Sequence, residues 1–474
     1  MKPLSLGTRL GYGAGAISVA TKDAAVVHFL AFYYTQVIGL PAWLYGLSAL
    51  VAQVADAFVD PVLGTLSDNS RTRWGRRHPW MAASALPIGV GFLLLFAPPS
   101  DAPHWAVFVW ITFVQTVLRM LLSVFSIPHT TLGSELSTDY EERTRIASYR
   151  TLLAWIAGTL LPFWAYIFVF QKTPESDARL VAGNYEFYAW ASAIVATLAV
   201  VISCASTWKL IPHLSVPLTR RKLDLLDPLR DVQEALRIPN FRWIFLGTLA
   251  IGASTGVTTI LGTYTWTYFW EFSTKQAGLL TLSSLLPTVF AFLLVRPLGS
   301  RFEKKALTLW AMVVIVGNLL WWYGGRLLGL LPENGSGVLF ALAFLHQFVV
   351  VVAVVIWQSV APSMIADVAD EHEVETGERK EGVFFAALAF AIKVPTGLGN
   401  ALGGLLGGWV GLPVGAQPGT IGADALFRLG LAAGPIVAAS FGVPLYPFTR
   451  FHLTRECHAE LRHALDGRAA VRDY

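Results

Sequence analysis

Asp56 and Asp60 stand four residues apart in a run that is otherwise apolar. On a helix that spacing projects both carboxylates from one face. Two such groups away from water do not both stay ionised cheaply, so one takes up a proton, or a cation or basic side chain neutralises the pair. Cation coupling is the chemistry this permits. The plainer reading is a static ion pair with Arg119 or Lys393, or helix-end contacts with the basic loop that begins at Arg71. Lys22 and Asp23 make a second constellation. Adjacent helical residues point about 100° apart, so neither is expected simply to neutralise the other. Together they offer a donor and an acceptor to a polar ligand, or else two interhelical salt bridges. Lys393 is the lone basic residue of its apolar run, and Arg119 is followed on one helix face by Ser123 and Ser126.

The elements that carry these groups are set by composition. Of the 474 residues, 54% are hydrophobic and only 14% are charged, against roughly 25% charge in a soluble domain. Mean hydropathy is +0.55. Such a chain lacks the charge to cover a water-facing surface, which excludes soluble enzymes, secreted scaffolds and disordered proteins. Apolar runs fall at 10–38, 42–66, 80–97, 105–132, 150–170, 187–210, 243–270, 276–298, 306–328, 338–366, 382–411 and 425–447. Each is long enough to span a bilayer as a helix, which takes roughly 20 residues. The expected class is an all-α polytopic membrane protein of about twelve transmembrane helices. A charge at the bilayer centre costs at least about 2.5–3.5 kcal/mol, so the few ionisable residues inside these runs must face a cavity or one another.

Basic residues gather in alternate connections: Arg71 to Arg77, Arg143 to Arg150, Arg220 to Arg237, Arg301 to Lys305, and the tail after Arg450. The positive-inside rule therefore places both termini in the cytoplasm. The longest connection, 211–242, is charged and amphipathic and reads as a linker at the membrane surface. The expected domains are a six-helix bundle over 1–210, the linker, a second bundle over 243–449 and a cytoplasmic tail over 450–474. A weak repeat agrees: Pro61 and Pro297, and Glu142-Arg143 and Glu378-Arg379, are each 236 positions apart (61 to 297 and 142 to 378). Two parallel six-helix repeats is the arrangement of the major facilitator superfamily. The basic loop with Arg76 and Arg77 and the acidic loop from Glu135 to Glu142 are expected to form an inward gate, with Asp68 pairing with Arg143 or Arg145.

Other features read more plainly. Trp43, Trp80, Trp105, Trp243 and Trp270 sit near span ends, as interfacial anchors do, whereas Trp266 and Trp357 lie deeper and either pack or stack on a ligand ring. His28, His129 and His346 read as packing or hydrogen-bonding residues. The acidic run from Asp367 to Glu381, with His372, reads as a solvated loop. No HExxH or phosphate-binding Gly-rich motif appears, so no enzyme is expected. Cys204 and Cys457 have no reason to pair.

Several of these segments resemble the glycoside–pentoside–hexuronide:cation symporters, the family of the melibiose permease type, with a loop close to that of the sucrose transporters. They are Lys22-Asp23; DAFVDPVLGTLSDNSRTRWGRRHPW from Asp56; IPHTTLGSELSTDYEERTRIASYR from Ile127; and ADVADEHEVETGERKEGVFFAALAFAIK from Ala366. The resemblance implies a symporter of the major facilitator fold. It implies that Asp56 and Asp60 hold the cation, that Lys22, Asp23 and Arg150 recognise a sugar, that Lys393 links the two sites, and that Trp357 or Gln358 lies near a sugar-stacking position. Departures are Ser126 where the family has an Asp, Thr130 for a Trp, Gln53 for a basic residue, and Arg119 as an added one. One carboxylate fewer and one guanidinium more weaken a sodium cage, so H⁺ is expected as the coupling ion, with Na⁺ the alternative and no cofactor. The expected protein is a monomer in the plasma (inner) membrane, in contact with lipid and a small solute and not with nucleic acid. A lysolipid or an organic anion is the rival solute, and a channel is disfavoured by the asymmetric charge set.

Overall fold

The computed structural model describes residues 4–170, 172, 176–214, 227–377 and 381–472. The linker residues Arg220, Arg221 and Lys222, and the repeat partners Glu378-Arg379, lie outside them. All regular elements among the described residues are helical. Twelve are long and apolar enough to cross a membrane: α1 (Leu6–Val37), α2 (Ala42–Asn69), α3 (His78–Leu95), α4 (His104–Glu135), α5 (Glu141–Val169), α6 (Ala182–Pro212), α7 (Pro239–Phe269), α8 (Thr274–Arg301), α9 (Lys304–Leu327), α10 (Gly337–Thr376), α11 (Gly382–Val410) and α12 (Ala423–Thr449). Side chains cap several of them. Ser5 accepts from Thr8 N–H, Asp139 from Glu142 N–H, and Ser336 from Val338 and Leu339 N–H, each satisfying an orphan donor of the first turn. In α1 the backbone widens to π-helix over Val26–Leu30 and Tyr33–Val37, a local rewinding that re-aims the side chains beyond Asp23.

The chain forms two compact units. One comprises the described residues within 1–225 together with Gly262–Leu282 and Asn400–Gly422; the other comprises those within 226–261, 283–399 and 423–474. In the first unit α2 runs along α4, α3 packs on α4 and α6, and α1 packs on α5 and α6. The α1–α4 joint is polar and tight. Tyr12 Oη donates to His129 O at 3.0 Å, His129 Nε2 lies 2.8 Å from Tyr12 O, and the two rings stack at 4.4 Å. Gly15 is required there, because a Cβ would lie 2.7 Å from His129 Nε2 and 2.8 Å from Ser203 Oγ; small residues of this kind let membrane helices approach closely.

At the other end of α1 the same unit is closed by hydrogen bonds from the last turns of α7. Thr35 Oγ1 lies 2.5 Å from Tyr264 Oη, Tyr268 Oη donates to Gln36 Oε1 at 2.9 Å, and Thr263 Oγ1 donates to His28 O at 3.1 Å. The Asn400–Gly422 segment lies against the start of α2, where a Cβ on Gly404 would stand 2.5 Å from Ala42 O.

In the second unit α8 and α9 pack on α10, and α12 packs on α9. The core includes Phe241, Ile365, Val368, Phe384 and Ala391. The acidic run after Asp367 is not a solvated loop. It continues α10 to Thr376 and buries Asp367 and Asp370, because basic groups meet it on one face. Lys304 Nζ reaches Asp367 at 2.6 Å, and His458 Nε2 lies 3.1 Å from Asp370. His458 belongs to a terminal helix, Arg455–Arg472, that packs on α10.

Candidate functional site

Asp56 is buried on α2, and its Oδ1 accepts a hydrogen bond from Ser123 Oγ of α4 at 3.0 Å. Ser123 therefore holds that oxygen across the α2–α4 contact. The bond fixes the register of α2 against α4. It places Asp60 one turn further along α2, half-buried, and half-buried Ser126 one turn further along α4. Arg119 lies one turn back from Ser123 and is buried.

Lys22 and Asp23 depart from expectation. Lys22 Nζ lies 2.5 Å from Asp23 Oδ1. The 100° between adjacent Cβ atoms does not keep them apart, because the four-carbon lysine stem curls round the helix to its neighbour. The Lys22 side chain is 17% exposed and that of Asp23 59%, so the carboxylate is the more accessible partner of the pair. Arg150 of α5, half-buried, donates from Nη1 to Thr130 Oγ1 at 2.7 Å. In the second unit Trp357 and Gln358 are neighbours on α10; Trp357 Nε1 is buried without a hydrogen-bond partner among the described residues, and Gln358 is exposed. Lys393 lies on α11.

The charged loops close differently from the expected gate. Asp68 pairs with Arg77, Nη1 to Oδ1 at 2.5 Å, and not with Arg143 or Arg145. Arg143 Nε instead donates to Ser137 O at 2.7 Å, and Arg145 meets Glu141 one turn away at 3.5 Å. Arg77, with its side chain 2% exposed, bridges Asp68 and Glu135 (3.0 Å), and Arg76 joins Glu135 at 2.5 Å. This network ties the ends of α2 and α4 to the start of α3. Arg9 forms a bidentate pair with Glu142, both bonds 2.8 Å, that ties α1 to α5. Removing one partner of a buried pair strands the other charge, at about 3–5 kcal/mol. Arg77→Ala is therefore expected to lower the thermal midpoint of the purified protein far more than Arg145→Ala, whose partner is exposed, as read by scanning fluorimetry.

Gln115, one turn before Arg119, is the residue sequence reading missed. Its i, i+4, i+8 spacing with Arg119 and Ser123 was the available signal. A cavity of about 700 Å³ near the other end of α1, lined by Tyr33, Phe96, His104 and Glu186 among others, includes none of the expected site residues.

A family model described as MFS/sugar transport protein matches residues 11–455. The chain belongs to that family. Within this major facilitator family it stands with the glycoside–pentoside–hexuronide symporters. It is 27% identical to the inner membrane symporter YicJ of Escherichia coli over 84% of this chain and 82% of that protein. It is 26% identical to the isoprimeverose transporter of Lactiplantibacillus pentosus over 83% and 78%. Its fold matches a crystal structure of the nucleoside transporter NupG with a TM-score of 0.62 at 14% identity, covering 94% of this chain and 98% of that one. The fold is the all-α, twelve-helix major facilitator fold.

Proposed function

We propose that this family member is a secondary active symporter that moves a sugar or glycoside together with one proton by alternating access, and that it is not an enzyme. The observation that carries the reading is the carboxylate pair Asp56 and Asp60 on α2, with Asp56 buried in a chain whose relatives are symporters. Protonating Asp56 removes a charge whose burial is costly. Lys22, Asp23, Arg150, Lys393, Trp357 and Gln358 are assigned to the solute, since hydroxyls need both donors and acceptors and a pyranose ring stacks on an aromatic face. Sodium is disfavoured: the α2–α4 pair offers a hydroxyl at Ser126 and a guanidinium at Arg119, and a hard cation needs several oxygen ligands and no cation beside it. The bundles 1–210 and 243–449 are the proposed moving halves, Arg76, Arg77 and Asp68 the gate, and the basic loops the cytoplasmic face of a monomer in the plasma membrane.

The test of substrate class is thermal stabilisation of the purified protein by a panel of mono-, di- and oligosaccharides, including isoprimeverose, beside lysolipids and organic anions. A ligand stabilises by mass action in proportion to its occupancy of the folded state. Saccharides are expected to raise the midpoint; a response to lysolipid or anions alone would overturn the substrate class and leave the fold untouched.

A further inference from the structure

The open face of α1 does not end at Asp23. That residue stands midway along the span, and a carboxylate at such a depth faces a cavity rather than lipid. Val27, four residues on and so on nearly the same face, is 45% exposed, while Ala24, Ala25, Phe29 and Leu30 around it are buried. His28 comes next, where α1 widens to π-helix over Val26–Leu30. A second π-helical turn, Thr265–Phe269, closes α7 in the same compact unit. Turns of this kind recur at functional sites.

The two turns bring one pair of side chains together. The His28 imidazole and the Trp266 indole have ring centroids 6.1 Å apart, inclined at 53°. Tyr166 of α5 stands edge-on to the imidazole at 5.9 Å. His28 and Trp266 are both half-buried, although Thr265, Thr267, Tyr268 and Phe269 beside Trp266 are buried. The hydrogen bonds at His28 reach its backbone carbonyl, from Thr263 Oγ1 at 3.1 Å and Tyr166 Oη at 3.5 Å. Among the described residues neither ring nitrogen of His28, nor Trp266 Nε1, has a hydrogen-bond partner. A polar atom shut away without a partner costs about 1–3 kcal/mol, so these three atoms suit a group that arrives with hydroxyls. A neutral imidazole supplies one donor and one acceptor, and an indole face stacks on the C–H face of a sugar ring.

We propose that His28 and Trp266 form a second sugar subsite, one ring further along α1 than Lys22 and Asp23. The solute is then a disaccharide rather than a monosaccharide. Five residues separate Asp23 from His28, about 7.5 Å of helix at 1.5 Å per residue, which gives room for one ring beside each pair. The first ring meets the Asp23 carboxylate and the Lys22 ammonium; the second stacks on Trp266 and exchanges hydrogen bonds with His28. The inference rests on the reading of the solute as a sugar and adds its size and the residues that measure it.

The test is thermal stabilisation of the full-length purified protein by isoprimeverose, melibiose, sucrose and maltose, beside xylose, glucose, galactose and fructose. The readout is the concentration that gives half the maximal shift. At least one disaccharide is expected to act at a concentration about tenfold or more below its constituent monosaccharides, roughly 1.4 kcal/mol. His28→Phe keeps an aromatic ring against Tyr166 without its polar atoms, and Trp266→Leu removes the stacking face. Each is expected to raise the disaccharide concentration about tenfold and leave the monosaccharide concentration unchanged. The milder Trp266→Phe is expected to lose about threefold, and His28→Gln, which keeps a donor and an acceptor, to stay within about threefold of the native protein. Residues that merely pack would move both probes together, or lower the midpoint without solute. Equal action of one-ring and two-ring sugars on the native protein would overturn the subsite and leave the sugar reading in place, as would variants that lose nothing or lose both classes alike. Stabilisation by no saccharide at all would overturn the sugar reading as well.

Discussion

Asp56→Asn is expected to abolish uphill accumulation of the solute while leaving solute exchange across the membrane within about threefold of the native rate. An imposed potential of 100 mV is worth about 2.3 kcal/mol per charge. For one proton per solute that supports roughly fiftyfold accumulation. Asparagine keeps the size of the side chain and can still accept from Ser123 Oγ, so the α2–α4 register set by the 3.0 Å bond survives. It cannot titrate. The accumulation ratio in energised vesicles should then fall to about one, since no proton-motive energy is linked to the solute. Asp60→Asn is the companion variant, and retention of proton-driven accumulation by both would remove the coupling role from this pair.

Asp23→Ala carries the second large effect. The carboxylate is the more exposed partner of its pair with Lys22, and hydrogen bonds to a charged group contribute about 1.5–3 kcal/mol. Losing two sugar hydroxyl contacts and leaving the lysine ammonium unbalanced is expected to weaken solute binding about a hundredfold, roughly 2.7 kcal/mol. The measurement is the solute concentration giving half-maximal thermal stabilisation. The fold should be spared, because among the described residues the ion pair of Asp23 is with Lys22 of its own helix; a lost midpoint in the absence of solute would instead mark Asp23 as a structural residue.

Much of this architecture is legible in the sequence because the bilayer allows few solutions. Long apolar runs must be helices, and α1 to α12 lie where those runs lie. The chemistry-bearing residues are equally visible, since a carboxylate such as Asp56 in an apolar run has no solubility to explain it. Their partners are less legible. Spacing puts Ser123 and Arg119 on one face of α4, but only packing decides that the Ser123 hydroxyl meets Asp56 Oδ1. Asp68 finds Arg77, nine residues on, because the turn into α3 brings the chain back on itself. Composition alone made the run after Asp367 look like a loop; Lys304 and His458, distant in sequence, keep it helical and buried. Long flexible side chains defeat simple angular rules as well, as the lysine stem at Lys22 shows. What sequence conveys well is which helix bears a charge, and what it conveys poorly is the hand that charge holds.

Proton symport is tested most directly with a pH electrode in a lightly buffered, de-energised suspension of cells or vesicles containing the protein. On addition of a saccharide that stabilises the purified protein, proton symport predicts a transient alkalinisation of the medium, with close to one proton taken up per solute, unaffected by replacing Na⁺ with choline and absent in Asp56→Asn. Solute entry with no change in external pH, or entry that stops when Na⁺ is withdrawn, would contradict it.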